Sequence, residues 1–426
     1  MPVLHHGYFT AEIGESDPEL AEAIVGEQAR QSDQIELIAS ENLVSRAVLE
    51  AQGSVLTNKT VEGLPYARYY GGAEFADRIE ALAVERAKRL FGAAFANVQP
   101  HSGSNANAAA YMALLKPGDC ILGMDIAAGG HISHGHPATI TGRTYEVVPY
   151  GVSRDDERID YDALEALARE HRPKLIIAGG SAYPRTLDFA RFRQIADAVG
   201  ARLLVDMAHF AGLVATGLHP DPLPHADVVS TTTYKSLRGA RGGLLLWNDP
   251  GLSRKLNLGV FPGVQGSVML HAVAGKAACL GEALRPEFAA YNRAVLDNCR
   301  ALAAALEAAG LRVVAGGTDS GLLLVDLRPK GLTGQPASEA LEAAGLTCNK
   351  NMIPFDPETA EVASGLRLSS NAGTTRGFGL PEFERIGAWI GRVLDALAER
   401  PGERAAVQAG VRAEVGALCA AHPIYR

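Results

Sequence analysis

The chain has 426 residues, of which 47% are hydrophobic and 21% are charged, and its formal net charge is −8. This composition is typical of a globular protein of about two or three domains, and the negative charge argues against nucleic acid or an anionic membrane surface as the main partner. No apolar run reaches the roughly 18 to 20 residues of a membrane span, and residues 1–6 lack the pattern of a secretory signal.

The five cysteines are scattered, odd in number and without a CxxC pair. A disulfide framework and a zinc site are therefore not expected, and no metal is assigned. A reducing cytoplasm is the compartment that this cysteine usage favours.

The first half of the chain predicts an arm followed by an α/β domain. Residues 1–50 are expected to form the arm, and residues 74–91 place apolar and charged side chains at helical spacing. Short apolar strands then alternate with amphipathic helices, which predicts a mostly parallel sheet with helices on both faces and ligands at the carboxyl ends of its strands. The predicted elements are strands at 120–124, 175–178 and 203–205, and helices at 105–116, 161–170 and 188–199.

After about residue 285 the composition shifts, which predicts a second and smaller domain. We expect a large domain at 51–287 and a small C-terminal α+β domain at 288–426. The predicted elements of the small domain are an alanine-rich helix at 291–309, strands near 312–315 and 322–326, a helix at 337–344, a loop at 349–365 and a long final helical region.

Lys235 is the most informative single residue, because it follows the apolar, β-branched run 228–233 and precedes the glycine-rich string 238–243. Burying an unpaired ammonium group is strongly unfavourable, so a lysine at the end of a buried strand is usually paired, neutral or covalently modified. One covalent form is a Schiff base with an aldehyde cofactor, above all pyridoxal phosphate. The alternative is a lysine just past the strand end that extends into solvent.

A second predicted strand ends in Asp206, and His209 follows three residues later. An aspartate at this position can hold a protonated pyridine nitrogen and make the ring a better electron acceptor. The alternatives are an aspartate that caps a loop or helix and a histidine that is structural.

The turn Ser102-Gly103-Ser104 opens a predicted helix. Free backbone N–H groups, hydroxyls and the positive end of the helix dipole there suit a phosphate, although serine is also a common helix N-cap. The string is neither a Walker A nor a GxGxxG sequence, so ATP and NAD are not favoured.

Two further strings add groups that a flat, anionic ligand requires. Gly129-Gly130 allows the backbone to approach a ligand closely, and His131, which follows directly, can stack on a ring. Arg367 lies within an apolar strand-like run, where an inward guanidinium favours a bidentate anion such as an amino-acid carboxylate. A structural salt bridge is the alternative for Arg367.

Together these strings resemble those of the serine hydroxymethyltransferases, a family of fold-type I, aspartate aminotransferase-like enzymes that depend on pyridoxal 5'-phosphate. The similarity covers nearly the whole chain, and each motif is weak alone but their order is specific. The resemblance implies an obligate homodimer with shared active sites, often paired into tetramers, with an amino acid and tetrahydrofolate as substrates. The strings that carry it are 35–42, Arg68-Tyr69-Tyr70-Gly71-Gly72, 97–104, Val205-Asp206-Met207-Ala208-His209, Tyr234-Lys235 and Gly365-Leu366-Arg367.

The resemblance also implies roles for individual residues. Lys235 would form the Schiff base, Asp206 would hold the ring nitrogen, and His131 would stack on the ring, so these three count as catalytic together with Glu62 and Tyr70. The residues implied around the cofactor are Ser102, Gly103, Ser104, His131, Ser181, Asp206, His209, Tyr234, Lys235 and, from the partner subunit, Gly266.

Substrate and folate roles follow in the same way. Arg367 and Ser40 would bind the amino-acid carboxylate, while Glu62 and Tyr70 would reach the substrate from the partner subunit, with Glu62 as the proton shuttle. The implied reaction breaks or makes the Cα–Cβ bond of a serine-type amino acid and passes the one-carbon unit to tetrahydrofolate. The implied folate contacts are Glu62, Tyr69, Gly130, Ile132 and Asn351.

The chain departs from the family pattern at four places that would lie near cofactor or substrate. Thr60 and Tyr234 replace a tyrosine and a histidine, and the strings 263–267 and 369–372 also differ. The strings 58–60, 263–267 and Ser181-Ala182-Tyr183-Pro184 resemble the α-methylserine hydroxymethyltransferase branch, in which extra space would admit a Cα methyl group, with alanine as the acceptor. Neutral changes in an ordinary serine enzyme are the alternative.

Three other functions remain open from the sequence. A folate-independent threonine aldolase or transaldolase would pass a glycine carbanion to another aldehyde. A catalytically silent paralogue is disfavoured by the intact Lys235, Asp206, His131 and Arg367, and an aminotransferase by the strings 69–72 and 97–102.

Overall fold

A computed structural model describes residues 7–425 of the chain. Residues 1–6, which include the start of the expected arm and the segment assessed for a secretory signal, lie outside the described residues, as does Arg426. Within the described part, no helix combines the length and the apolar content that crossing a membrane requires.

The elements are numbered in chain order. The α-helices are α1 (Ile13–Ser16), α2 (Pro18–Asp33), α3 (Arg46–Gln52), α4 (Glu74–Phe91), α5 (Gly103–Leu114), α6 (Ile140–Thr144), α7 (Tyr161–His171), α8 (Phe189–Val199), α9 (Ala211–Ala215), α10 (Ser253–Leu258), α11 (Leu270–Ala283), α12 (Glu287–Ala308), α13 (Gly334–Ala343), α14 (Asn371–Arg376), α15 (Leu380–Glu399) and α16 (Arg404–Ala421). The strands are β1 (Ile35–Glu36), β2 (Gly63–Leu64), β3 (Ala67–Arg68), β4 (Phe95–Asn97), β5 (Cys120–Met124), β6 (Glu146–Tyr150), β7 (Leu175–Ala178), β8 (Arg202–Asp206), β9 (Val228–Thr232), β10 (Gly243–Trp247), β11 (Arg312–Val313), β12 (Leu322–Asp326), β13 (Leu346–Thr347), β14 (Asn349–Asn351) and β15 (Gly365–Ser369).

A seven-stranded sheet forms the centre of the large domain, in the order β4-β10-β9-β8-β7-β5-β6. Strand β10 is antiparallel to both of its neighbours, and the other pairs are parallel. The inner strands β7, β9 and β10 of this sheet are buried at every residue, as expected for apolar strands that helices cover on both faces. The predicted α/β class with a mostly parallel sheet is confirmed.

The small domain contains a four-stranded antiparallel sheet, β11-β12-β15-β14, which packs with α13, α15 and α16. Strand β1 of the N-terminal arm pairs with β13, so the arm contributes Ile35 to the core of the small domain. Helix α12 contributes to both cores, since Val295 packs in the large domain and Leu302 in the small one. These separate cores support our proposed division at 287/288, with α12 as the shared element.

Several predicted boundaries match the structure, and others need correction. The helix predicted at 74–91 is α4, and the strand predicted at 120–124 is β5. The predicted loop at 349–365 is wrong at both ends, because Asn349–Asn351 form the edge strand β14, which pairs with β15 through backbone hydrogen bonds, and Gly365 already belongs to β15. The strand predicted at 312–315 ends at Val313, since Ala315 has a positive φ of 56°.

Other corrections come from local helix chemistry. The helix predicted to begin at 105 begins at Gly103, because the Ser102 hydroxyl accepts a hydrogen bond from the Asn105 N–H at 3.1 Å and caps it two residues earlier. The final helical region is two helices, α15 and α16, which separate around Pro401.

A buried ionic cluster anchors the β2–β3 hairpin to helix α4. The Arg68 guanidinium, whose side chain is 3% exposed, donates to Asp77 at 2.8 Å and to Glu80 at 2.7 Å. It also donates to the carbonyl of Gly63 at the base of the hairpin. Burial raises the pKa of Glu80, while Arg68 counteracts that effect. The hairpin therefore depends on this one guanidinium.

Removing Arg68 should destabilise the fold, because the Glu80 carboxylate would lose its buried cation. We expect Arg68→Met to lower the free energy of unfolding by about 3 kcal/mol or more. Urea unfolding followed by circular dichroism, at one fixed chain concentration, measures the change. Arg46→Met is the matched control, because Arg46 forms an exposed pair with Glu50 and should cost less than about 1 kcal/mol. Equal losses from the two variants would contradict the role of Arg68.

Candidate active site

A cavity lies at the carboxyl ends of β7, β8 and β9, beside the N-terminus of α5. Polar side chains and glycines that follow these strands line it, as expected for a parallel sheet. Of the residues predicted around the cofactor, all except Gly266 lie on its wall. The lining residues are Ser102, Gly103, Ser104, His131, Gly180, Ser181, Asp206, Ala208, His209, Thr232, Tyr234 and Lys235.

Lys235 is buried in this cavity, with 5% of its surface exposed. Its Nζ lies 3.0 Å from the His209 Nε2 atom. Burial lowers the pKa of Lys235 to about 8, Asp206 opposes that shift, and the positive charge of Arg367 adds to it. Burial also lowers the pKa of His209 well below its usual value, so His209 is neutral. The structure therefore excludes a lysine that extends into solvent and presents a readily deprotonated amine.

Asp206 is the last residue of β8, and its carboxylate has three hydrogen-bond donors. The Asn107 amide donates to Oδ2 at 2.8 Å, the His134 Nε2 lies 3.0 Å from the same oxygen, and the Ala208 N–H donates to Oδ1 at 3.1 Å. Burial acts to raise the pKa of Asp206, but the hydrogen bond and charge of His134 outweigh it and hold the pKa below its ordinary value. Asp206 is therefore an ionised carboxylate inside the protein, suited to a cationic ring nitrogen.

A chain of hydrogen bonds fixes the ring of His131. Its Nδ1 accepts from the Ser133 N–H at 3.1 Å and lies 2.7 Å from the Ser133 hydroxyl. That hydroxyl accepts from the Asn107 amide at 3.0 Å, so Asn107 orients both His131 and Asp206. Burial, together with the nearby His134, lowers the pKa of His131 to about 4. His131 is therefore a neutral, oriented ring on the cavity wall.

The Ser102–Ser104 turn packs tightly against the end of β9. A Cβ atom at Gly103 would lie 2.7 Å from the Thr232 Cγ2 atom, so only glycine fits there without a shift. The Thr232 Oγ1 atom is buried and has no hydrogen-bond partner among the described residues. An unpaired buried hydroxyl beside the first turn of a twelve-residue helix fits a phosphate group.

Arg367 projects from the small domain toward the same cavity. Its Nη1 donates to the Ser181 carbonyl at 2.9 Å, and its Nε donates to the Asn349 side chain at 3.2 Å. Burial lowers the pKa of Arg367 to about 10, and within residues 7–425 no acidic side chain offsets that burial. The alternative of a structural salt bridge is thus not what the structure shows, and the guanidinium can still accept an anion.

Four predicted residues lie together away from this cavity. Glu62 Oε1 accepts from the Ser267 hydroxyl at 3.0 Å, next to the exposed Gly266. Tyr69 and Tyr70 are 75% and 50% exposed. This surface does not line the cavity of the same chain, and the role of these residues in a partner subunit stays a prediction.

The remaining predicted substrate and folate positions also lie off the cavity wall. Ser40 is half-buried on the arm, and the Asn351 amide donates to the carbonyl of its neighbour Met352. Ile132 is 54% exposed. Gly130 is buried, and a Cβ atom there would lie 2.0 Å from the Met124 carbonyl oxygen. None of these four residues contacts the others through a side-chain hydrogen bond within residues 7–425.

The family departures do not all share one location. Tyr234 lines the cavity, and the Arg241 guanidinium lies 4.4 Å from the centre of its ring. Thr60 is exposed on the surface. Ser370 is buried in the small domain, where its hydroxyl donates to the Val295 carbonyl at 2.7 Å.

Sequence reasoning missed several residues of the site. His134 follows His131 by three positions, and this spacing within a short turn was the available signal. Asn107 lies on the inner face of α5, where one buried amide among alanines was a weaker signal. Thr232 belongs to the β-branched run and carried no signal of its own. A ring nitrogen of His131, a ring nitrogen of His134 and a carboxylate oxygen of Asp206 lie within 4.8 Å of one another, so His134 belongs to the same cluster as these two predicted residues.

Comparison with known proteins agrees with this geometry. A family model described as serine hydroxymethyltransferase matches residues 13–390. A protein named serine hydroxymethyltransferase from Rhodospirillum centenum is 62% identical over 98% of this chain and 97% of its own length. One of the same name from Paramagnetospirillum magneticum is 59% identical over 98% of each chain, and serine hydroxymethyltransferase 2 from Rhodospirillum rubrum is 58% identical over 98% of this chain and 97% of its own. The chain therefore belongs to the serine hydroxymethyltransferase family and has its fold-type I architecture.

Proposed function

We propose that the protein is a pyridoxal 5'-phosphate-dependent hydroxymethyltransferase that exchanges a one-carbon unit between a serine-type amino acid and tetrahydrofolate. The observation that carries the proposal is the buried Lys235 amine with a pKa of about 8, in one cavity with the ionised Asp206. The names of the relatives do not favour a threonine aldolase, a silent paralogue or an aminotransferase.

The residues of the cavity fit this cofactor. Lys235 would hold its aldehyde carbon, Asp206 its ring nitrogen and His131 one face of its ring. The Ser102–Ser104 turn and the unpaired Thr232 hydroxyl would hold its phosphate. When bound, the cofactor supplies a ring that accepts the electron pair released as the Cα–Cβ bond of the amino acid breaks. Ser181, His209 and Tyr234 complete the wall around it.

The protein's own side chains would bind and orient the amino acid. Arg367 would bind the α-carboxylate through the part of its guanidinium that faces no acidic group, with Ser40 as a second contact. His209, neutral and 3.0 Å from Lys235, can hold the Lys235 nitrogen in place by a hydrogen bond. Glu62 of a second subunit would move the proton of the substrate hydroxyl, and Tyr70 would lie beside it.

A homodimer with shared sites is part of the proposal. Tyr70 and Gly266 are exposed beside the half-buried Glu62, and the large side chains of Tyr66 and Leu258 are exposed as well. Exposed apolar groups of this kind mark interaction surfaces. The folate contacts that the resemblance implies, including Tyr69, would be completed there, and pairing of dimers into tetramers follows the family. The five free cysteines fit a cytoplasmic location.

A narrower donor, α-methylserine, is a second candidate that rests on the resemblance of the strings at 58–60, 181–184 and 263–267 to that branch. Tyr234 stands where the family pattern has histidine, and its ring is held between the cavity and Arg241. The wall beside Lys235 therefore differs from the usual one. Thr60, on the exposed surface, would add space if that surface reaches a partner's cavity.

The cofactor should attach to Lys235 and to no other lysine. We expect borohydride reduction of the cofactor-loaded protein, followed by peptide mass spectrometry, to place the adduct on Lys235. Lys235→Ala should lack the adduct and lose about 10³-fold or more in kcat. An adduct on the second buried lysine, Lys276, would show that the assignment is wrong.

Capture of the cofactor should depend on pH through the Lys235 amine. Only the neutral amine attacks an aldehyde, and its fraction rises with pH until the pKa, about 8, is passed. The second-order rate constant for binding to the apoprotein, followed by absorbance, should rise about tenfold per pH unit below 8 and then level off. A free lysine side chain, with a pKa near 10.4, is the control and should keep rising to about pH 10. The same continued rise in the protein would contradict the lowered pKa.

The donor can be tested with one substitution on the exposed surface. We expect the wild type to use α-methyl-L-serine, and Thr60→Tyr to lower its kcat/KM about tenfold while that for L-serine changes less, because the added ring fills the space for the methyl group. Thr57→Tyr is the matched control, since Thr57 is also exposed, three positions earlier. A wild type that uses L-serine but not α-methyl-L-serine would rule out the narrower donor.

A further inference from the structure

A second lysine, Lys276 on helix α11, lies in the core of the large domain and is 1% exposed. Its Nζ donates to three backbone carbonyls, those of Val98 at 2.7 Å, Pro100 at 2.8 Å and Gly243 at 3.1 Å. An ammonium group has three N–H donors, so these three carbonyls use all of them. Lys276 does not line the cavity and contacts no group assigned to chemistry.

The three carbonyls belong to the two segments that frame the cofactor site. Val98 and Pro100 lead from β4 into the Ser102–Ser104 turn. Gly243 is the first residue of β10 and ends the loop that follows Lys235. Lys276 thus links the proposed phosphate turn to the segment that carries the reactive lysine.

Close packing makes this link stiff. The Gly243 N–H donates to the Pro100 carbonyl at 2.9 Å, and a Cβ atom at Gly243 would lie 2.3 Å from the Ser102 carbonyl oxygen. A Cβ atom at Gly242 would lie 2.0 Å from the Lys276 Cε atom. Loss of the ammonium would therefore leave three buried carbonyls without their donor at the base of the turn.

We propose that Lys276 is a positioning residue that fixes the phosphate-binding turn relative to Lys235 through the carbonyls of Val98, Pro100 and Gly243. The inference rests on the proposed function and deepens it, because it assigns the cofactor's phosphate affinity to a side chain outside the cavity. It acts through the backbone of the turn and touches neither cofactor nor substrate.

The test compares two forms of the cofactor on the same apoprotein. Pyridoxal phosphate uses the turn, whereas pyridoxal has the same aldehyde and ring but no phosphate. We expect Lys276→Met to raise the Kd of pyridoxal phosphate about tenfold or more and to leave the Kd of pyridoxal within about twofold. The size of the effect is taken from metal sites, where removing a residue that orients a ligand weakens metal binding by a similar factor. The inhibition constant of inorganic phosphate against pyridoxal phosphate should rise by the same factor.

Lys330→Met is the matched control. Lys330 is a largely buried lysine of the small domain that pairs with Asp395. Its loss should lower the Tm of the apoprotein without changing either Kd. Lys276→Gln keeps two N–H donors and should weaken pyridoxal phosphate less than Lys276→Met does. If Lys276→Met does not fold, the two Kd values are compared between Lys276→Gln and the wild type instead.

The outcomes separate this inference from the proposed function. A wild type that does not bind pyridoxal phosphate would overturn the proposed function. A wild type that binds it, with a Lys276 variant whose Kd values are unchanged or rise equally for both ligands, would overturn only the positioning role. A selective loss of phosphate affinity supports it.

Discussion

Burial of positive charge is the constraint on which the arrangement of the large domain depends. Two lysines lie in its interior, and burial lowers the pKa of both, to about 8 for Lys235 and about 7 for Lys276. Lys276 has three carbonyl acceptors, whereas the Lys235 amine lies within hydrogen-bond distance of one ring nitrogen of His209. Both lysines can therefore lose a proton near neutral pH, but of the two only Lys235 lines the cavity, where covalent chemistry requires the neutral amine.

The direction of the strands explains how distant parts of the chain reach one cavity. Parallel neighbours β7, β8 and β9 end on the same edge of the sheet, and they deliver Ser181, Asp206 and Thr232 there. Helix α5 starts at that edge, so its first turn and its buried Asn107 both face the strand ends. The reversed strand β10 then lets the loop after Lys235 return beside the turn.

Much of the site could be predicted from the sequence because each strand end is a local pattern. Lys235 and Asp206 each follow an apolar run, and Ser102 precedes a helix, so neighbouring residues carried the signal. Lys276 and Asn107 could not be found this way, because their partners lie far along the chain and only the folded backbone brings them together. The edge strand β14 was missed for the same reason, since its pairing uses backbone groups alone. Glu62 and Tyr70 do not line the cavity of their own chain, so their proposed contacts with a second subunit follow from neither the local sequence pattern nor the fold of one chain.

The glycines at positions 103, 242 and 243 restrict which substitutions this enzyme can tolerate. At each position even a single methyl group would meet a neighbouring atom at 2.7 Å or less, namely a side-chain carbon of Thr232, a side-chain carbon of Lys276 and the carbonyl oxygen of Ser102. The base of the pocket therefore tolerates few substitutions, and directed evolution of new donors would find tolerated mutations on the opposite wall, around Tyr234. Libraries that spare the three glycines should retain far more folded members than libraries that randomise the whole pocket.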